Sequence, residues 1–263
     1  MSAPNEISSP LSAKDDPTRL AARDRLIVAL DAPNRATAER LLETLGDSVT
    51  FYKIGLELLF ADGLALASDL KAAKKRVFLD LKFLDIGNTV ERAVAQASAL
   101  GLDCLTVHGT DRKTLAAAVR GRDSTNKATK LLAVTVLTNL DANDLADQGI
   151  SQPVAEIVKL RANHALAAGF DGVVASGQEA SVIRSLANEA GQSAFWVVTP
   201  GIRLPASDAG DQTRVTTPAD AIAAGASHLV VGRPITQAAD PAAAATQFTD
   251  HIATATASGA PDQ

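Results

Sequence analysis

The chain has 263 residues, 46% hydrophobic and 21% charged, enough for one large α/β domain with a sizeable core. A formal net charge of −5 leaves no basic footprint for nucleic acid or an acidic membrane surface. A single cysteine excludes an internal disulfide framework and a thiolate-based zinc site, and four scattered histidines supply a metal poorly.

No apolar run approaches the ~20 residues that span a bilayer. The first residues show no charged-then-apolar signal pattern, so the expected location is the cytoplasm. Residues 1–22, rich in Ser, Pro, Ala and Asp and without periodicity, are expected to be a disordered tail. Residues 249–263 are expected to be a flexible one, leaving a catalytic domain over 23–248. Within it, strand-like runs fall at 26–30, 51–54, 77–81, 104–107, 131–136, 172–175, 195–198 and 228–231, each followed by an Ala/Leu-rich helical pattern. Near-continuous apolar strands alternating with helices predict a parallel sheet covered on both faces. Eight of them predict a single-domain (β/α)8 TIM barrel. An open doubly wound sheet would want a glycine fingerprint after its first strand, and Asp31-Ala-Pro-Asn34 is not one. Asn88 and Glu91 read as a capping box opening the third helix. Thr217 followed by Pro218 reads as a cap and first helical residue before the last strand.

In a barrel, chemistry is expected at the C-terminal ends of the strands. There the first strand ends in Asp31, the second in Lys53 and the third in Asp80 and Lys82, with Asp85 just beyond. Alternation puts Phe78, Asp80 and Lys82 on one face of the third strand, and Val77, Leu79 and Leu81 on the other. The aliphatic face belongs against helices, so Asp80 and Lys82 point into the barrel mouth, where an unpaired charge would cost several kcal/mol. Lys53, Asp31 and Asp85 are the available partners. An alternating acid–base array keeps lysines protonated, and a protonated lysine fixed beside carboxylates is poised to give a proton to a carbanion. The competing reading is a structural salt-bridge cluster capping the barrel.

The other half of a site falls at the seventh and eighth strands. Arg203 follows the seventh strand, then comes a long loop from 204 to 217 containing Gly210 and Gln212, and the eighth strand ends in Gly232 and Arg233. Loops in these two positions hold a phosphate in many barrels, with glycine backbone and an arginine fork as ligands. His108 ends the fourth strand without a second metal ligand; His164, His228 and His251 have no evident partners. Cys104 reads as a small buried hydrophobe. No metal site is expected.

Together the Asp80, Lys82 and Asp85 pattern, the Lys53 strand, Thr138, Arg203, Gln212 and the Gly232–Arg233 pair resemble the bacterial type of the orotidine 5′-phosphate decarboxylase family, over about residues 25–237. The resemblance implies a cofactor-independent decarboxylase of orotidine 5′-monophosphate. Lys82 would deliver the proton that replaces CO2, Asp80 would lie beside the substrate carboxylate, and Asp31 and Lys53 would hold ribose hydroxyls. Thr138 would contact the pyrimidine, while Arg203, Gln212, Gly232 and Arg233 would hold the phosphate. Asp85 and Thr89 would reach the neighbouring subunit's site, making a homodimer with shared active sites. Two residues depart from the family pattern. Gly87 stands where Pro is usual, which would loosen the loop carrying Asp85 and Thr89. Asn139 stands where Ser is common, beside the base.

Two other functions compete. A metal-dependent branch of the same suprafamily acts on keto-sugar phosphates, but it needs an acidic ligand where this chain has Lys53. A non-catalytic binder of phosphoribosyl nucleotides could use the same barrel, though it would have no use for the full Asp/Lys array.

Overall fold

The computed structural model describes residues 20–205 and 215–258. A short helix α1 (Ala22–Arg25) leads directly into β1 (Leu26–Ala29), followed by α2 (Arg35–Leu45) and β2 (Phe51–Gly55). Helices α3 (Leu56–Leu58) and α4 (Leu64–Ala72) precede β3 (Arg76–Phe83), then α5 (Gly87–Ala99) and β4 (Cys104–His108). Next come α6 (Arg112–Asp123), β5 (Lys130–Val134), α7 (Ala142–Asp147), α8 (Val154–Ala168) and β6 (Gly172–Val174). The chain ends with α9 (Ala180–Glu189), β7 (Trp196–Thr199), α10 (Pro218–Ala223), β8 (His228–Val231), α11 (Arg233–Thr236) and α12 (Pro241–Ser258).

All eight strands pair in parallel and close in sequence order, β1 through β8 and back to β1, as the sequence pattern predicts. Closure leaves no sheet edge to protect. Strand alternation then divides the apolar residues. Val28, Tyr52, Leu79, Leu105, Val197 and Leu229 face the helices in one buried cluster. Ile27, Phe51, Phe78, Cys104, Leu132 and Trp196 fill the barrel interior in a second. Cys104 is thus the buried hydrophobe expected of it.

The N-terminal end of the barrel is closed by rings. Trp196 and His228 lie 4.0 Å apart between centroids, Phe51 meets Trp196 edge-on at 6.5 Å, and the Arg76 guanidinium sits 4.3 Å over Phe51. His228 does have partners: besides the rings, Ser227 Oγ lies 3.0 Å from its Nδ1. Full burial, reinforced by nearby arginines, holds its pKa well below the ordinary histidine value, so the ring is neutral.

A repeated device fixes strand register at this end. The residue just ahead of an even strand takes a backbone N–H of the odd strand before it. Asp103 Oδ2 accepts from Val77 N at 2.8 Å, Asp171 Oδ2 from Leu131 N at 2.9 Å, and Ser227 Oγ from Val197 N at 2.9 Å. Both aspartates also hold cations, Lys71 Nζ at 2.6 Å and Arg122 at 2.8 Å. Charge at this end therefore secures the scaffold and leaves the opposite end to chemistry.

Helix starts follow local chemistry, with one correction. Asn34, Asp111, Asp141 and Thr217 cap α2, α6, α7 and α10 through their side chains, and Pro218 opens α10 as predicted. The capping box at Asn88 does not form. Helix α5 begins at Gly87 with Ile86 as its cap residue and no side-chain cap. Asp85 Oδ1 accepts from Ile86 N at 2.6 Å, so the chain has turned before Asn88 is reached. Gly87 is the first residue of that helix.

The expectation of a flexible tail from 249 is also corrected. Helix α12 continues to Ser258, with Phe248 and Ile252 buried. The buried Arg25 donates to the carbonyls of Ser227 and Ala226 and, at 3.0 Å, to Thr256 Oγ1, tying α1 and β8 to α12. The Ala/Thr composition that resembles a tail is also that of a helix whose small side chains allow close packing. Residues 1–19 and 259–263 of the two expected tails lie outside the described residues. Among the described residues no helix is long and apolar enough to cross a membrane.

The packing of α12 gives a direct test. Ile252→Ala should cost about 2–5 kcal/mol, as for other buried large-to-small changes, read from urea unfolding midpoints. An unchanged midpoint would mean that the end of the chain is dispensable to the fold.

Candidate active site

The C-terminal ends of the strands enclose a cavity of about 300 Å³. Its apolar floor includes Ala29, Phe78, Val134, Val174 and Val230, and its polar wall includes Asp31, Lys53, Asp80, Lys82, Thr138, Arg203, Gly232 and Arg233. Residues from seven strands or the loops after them thus meet at one mouth. Asn139 lines the same wall beside Thr138.

The charged side chains form one continuous chain. Lys82 Nζ lies 2.8 Å from Asp80 Oδ1, Asp80 Oδ2 lies 3.4 Å from Lys53 Nζ, and Lys53 Nζ lies 3.3 Å from Asp31 Oδ1. The side chains of Lys53 and Asp80 are only 12% and 13% exposed, against 55% for Asp31, so the middle of the chain is the desolvated part. Glycine makes room for it. A Cβ at Gly55 would stand 3.3 Å from Lys53 Nζ, and one at Gly232 would stand 3.5 Å from Asp31 Oδ2.

Electrostatics set the protonation states. Burial alone would raise the Asp80 pKa, but Lys53 and Lys82, together with hydrogen bonds from Lys82 and Thr106, hold it below the ordinary carboxylate value. Burial also opposes the Lys53 ammonium, yet Asp80 and Asp31 hold its pKa above that of a free lysine. At neutral pH the middle pair is therefore an ammonium and a carboxylate. His108 is half-buried at the end of β4; burial, then Lys82 and Arg161, lower its pKa, and it does not line the cavity.

Lys82 reaches its place by an unforeseen route. Simple alternation would continue through Asp80 to Lys82, but the β3–β4 register shifts between Leu79 and Phe83. Lys82 takes φ of 51°, in the left-handed region that non-glycine residues rarely occupy. Its backbone N–H, turned away from the ladder, donates to Thr106 Oγ1 at 2.9 Å. Thr106 in turn donates to Asp80 Oδ1 at 2.9 Å. Thr106 is the site residue that sequence reasoning missed. The signal was alternation on β4, which puts Cys104, Thr106 and His108 on the interior face beside β3.

Two predicted residues stand apart from the cavity. Asp85 and Thr89, beyond β3, are exposed and do not line it. On the β7 side of the mouth, a bridge joins Ile202 and Thr216, with Arg203 N donating to Thr216 O at 3.1 Å. Arg203 is buried and faces the cavity, while Arg233 lines it as the first residue of α11. Gly210 and Gln212 lie outside the described residues.

The chain as a whole has known relatives. A family model described as orotidine 5′-phosphate decarboxylase / HUMPS family matches residues 24–248. The chain belongs to this family. A relative named orotidine 5′-phosphate decarboxylase from Rhodopseudomonas palustris (strain BisA53) is 53% identical over 235 residues, covering 89% of this chain and 97% of its own. One of the same name from Caulobacter vibrioides (strain NA1000 / CB15N) is 49% identical over 234 residues, covering 89% and 99%. Among solved structures, orotidine 5′-phosphate decarboxylase from Lactobacillus acidophilus superposes with a TM-score of 0.75 at 36% identity, covering 86% of this chain and 98% of that one. The residues that the family model matches span the whole barrel, from β1 through β8.

The charge chain predicts a pH signature. Because its folded-state pKa is depressed, Asp80 contributes stability above the unfolded value of about 3.9 and loses it as pH falls through the folded value. Asp80→Asn removes that contribution. The stability gap between wild type and variant, from urea midpoints, should stay level from about pH 5 to 8 and narrow below about pH 4. A gap that widens on acidification would contradict the charge assignment.

Proposed function

We propose that Lys82 is the proton donor, set in an Asp/Lys charge network, for the reaction that names this family. That reaction decarboxylates orotidine 5′-monophosphate to uridine 5′-monophosphate and CO2, the last step of de novo UMP biosynthesis. The observation that carries the reading is the charge chain from Lys82 through Asp80 and Lys53 to Asp31 at the cavity wall, desolvated at its middle pair.

The chemistry balances with these groups alone. The bond from ring C6 to the carboxylate breaks, CO2 leaves, and the electron pair stays on C6 as a vinylic carbanion. The Lys82 ammonium stabilises that charge and donates its proton to C6; the neutral amine then regains a proton from water. Preorganised charge does the work that an electron sink performs in cofactor-dependent decarboxylases. Asp80 lies beside the substrate carboxylate, where its repulsion disappears once neutral CO2 forms. Asp31 and Lys53 hold ribose hydroxyls, Thr138 contacts the pyrimidine, and Arg203, Gln212, Gly232 and Arg233 hold the phosphate. No cofactor is assigned. The keto-sugar phosphate branch is disfavoured because Lys53 stands where it needs an acidic metal ligand, and the Lys53 ammonium, paired with Asp31 and Asp80, would repel a metal cation.

The working unit we propose is a homodimer in which Asp85 and Thr89 complete the partner's site. Their exposure supports this, as do the apolar neighbours at the same rim: Phe60, Leu84 and Ile86 are 89%, 54% and 74% exposed. The reading includes no nucleic-acid partner. A cytoplasmic setting belongs to it too, since substrate and product are soluble nucleotides.

The assay is the loss of absorbance as orotidine 5′-monophosphate becomes uridine 5′-monophosphate. Lys82→Ala should lower turnover by at least ~10⁴-fold, since proton donation and charge stabilisation go together. Co-refolding inactive Lys82→Ala with inactive Asp85→Ala chains should restore activity through heterodimers that contain one intact site. Heterodimers without activity would place Asp85 in its own chain's chemistry.

Arg233 tests the phosphate end separately. A truncated charge-assisted contact to a buried phosphate costs about 2–5 kcal/mol, so Arg233→Ala should lower kcat/KM by roughly 10²–10³-fold, mostly through KM. With orotidine, which lacks the phosphate, wild type and variant should behave nearly alike. Equal losses on both substrates would remove Arg233 from phosphate binding.

A further inference from the structure

We infer that Thr106 is the positioning residue that aims both Asp80 and Lys82 at the reacting carbon. The inference rests on the proposed roles of those two groups and adds the element that holds them.

The Thr106 hydroxyl has one hydrogen and lone pairs, and both functions are committed. Its hydrogen goes to Asp80 Oδ1 at 2.9 Å, because an ionised carboxylate can only accept. Its oxygen accepts from the backbone N–H of Lys82 at 2.9 Å, a group that can only donate. The hydroxyl therefore has one orientation available. It is anchored on β4, on the strand adjacent to the one that carries both charged residues, and it is fully buried.

Each bond constrains a different degree of freedom. Asp80 Oδ1 receives Thr106 and Lys82 Nζ together, the latter at 2.8 Å, which fixes the carboxylate plane and directs Oδ2 to Lys53. The second bond holds the peptide of Lys82 where the register shifts and φ is 51°. A left-handed lysine persists only where its surroundings over-determine it. Here the over-determination comes from the same hydroxyl that orients its ion-pair partner. Backbone and carboxylate are thus registered to one atom, and the Lys82 ammonium is set from both ends. Thr106 does not line the cavity, so it acts through its neighbours and does not touch substrate. Threonine suits the place over serine because its β-branched side chain is stiff at χ1.

The test uses the full chain and three substitutions. Thr106→Val keeps the shape and removes the hydroxyl; Thr106→Ser keeps the hydroxyl. The valine variant should lose about 10–100-fold in kcat, as for a misplacement of roughly 1 Å, with KM within about threefold of wild type. The serine variant should recover to within about threefold of wild-type kcat. In a Lys82→Ala background, adding Thr106→Val should cost less than it does in the wild type, because one of the two groups it aims is gone. If the valine variant does not fold, Thr106→Ala takes its place in each comparison. Valine and serine variants of equal activity, or a loss confined to KM, would overturn the inference while leaving the proton-donor reading intact. An active Lys82→Ala enzyme would instead overturn that reading.

Discussion

The mouth of this barrel depends on one carboxylate held between two ammonium groups. Taking Asp80 and Lys53 out of water costs several kcal/mol for each ion, and the cost is met only where geometry and extra hydrogen bonds are good. Asp80 has Lys82 and Thr106 on one oxygen and Lys53 on the other. The surroundings are shaped to that requirement. Gly55 leaves space where a Cβ would stand 3.3 Å from Lys53 Nζ, and Lys82 adopts a backbone conformation that its residue type disfavours. Neither choice improves the barrel as a barrel. They make sense as the conditions under which a row of charges can stand with its middle pair out of water.

The two ends of the barrel use charge for opposite purposes. At the N-terminal end, Asp103 and Asp171 spend their oxygens on strand N–H groups and on Lys71 and Arg122. Those aspartates are satisfied by the scaffold. At the C-terminal end Asp80, Lys53 and Lys82 are one another's partners, and Thr106 ties Asp80 to the Lys82 backbone. The charged groups sit on or directly after β1, β2 and β3. The groups proposed to hold phosphate follow β7 and β8, on the other side of the mouth.

The fold was legible because its signals are local. Each strand is a short β-branched or apolar run, each helix a longer Ala/Leu-rich one, and the order of eight such pairs leaves one closed topology. The charged site was legible for the converse reason: Lys53, Asp80 and Lys82 interrupt strands that are otherwise apolar, and a buried charge needs a purpose. What escaped depends on contacts between elements. Thr106 is unremarkable in a strand, and its role exists only because β3 slips against β4 beside it. The start of α5 was misplaced because Asp85, rather than Asn88, takes the backbone N–H at the turn. The last ten residues of α12 looked like a tail because alanine and threonine lack amphipathic contrast, although Ile252 and the link from Arg25 to Thr256 bind them to the core. Asp85 was picked out as a strand-end charge and a partner for Asp80 and Lys82, and Thr89 through resemblance alone; both are exposed and neither lines its own chain's cavity.

The proposed chemistry also explains why the charges alternate instead of forming one positive pocket. Loss of CO2 does not change the net charge of the substrate; it moves one negative charge from the carboxylate to C6. A uniformly positive pocket would stabilise the charge before and after the step almost equally and accelerate nothing. An alternating row distinguishes the two positions. Asp80 disfavours negative charge at the carboxylate, and Lys82, held 2.8 Å away, favours it at C6. The spacing of that pair is thus the quantity that selects the transition state. It must be fixed before substrate arrives, because water in the cavity would otherwise reorganise to favour the starting charge. An ion pair on a slipped strand, pinned by a hydroxyl from the neighbouring strand, meets that demand. Binding energy from the distant phosphate then offsets the repulsion that Asp80 imposes on the bound carboxylate.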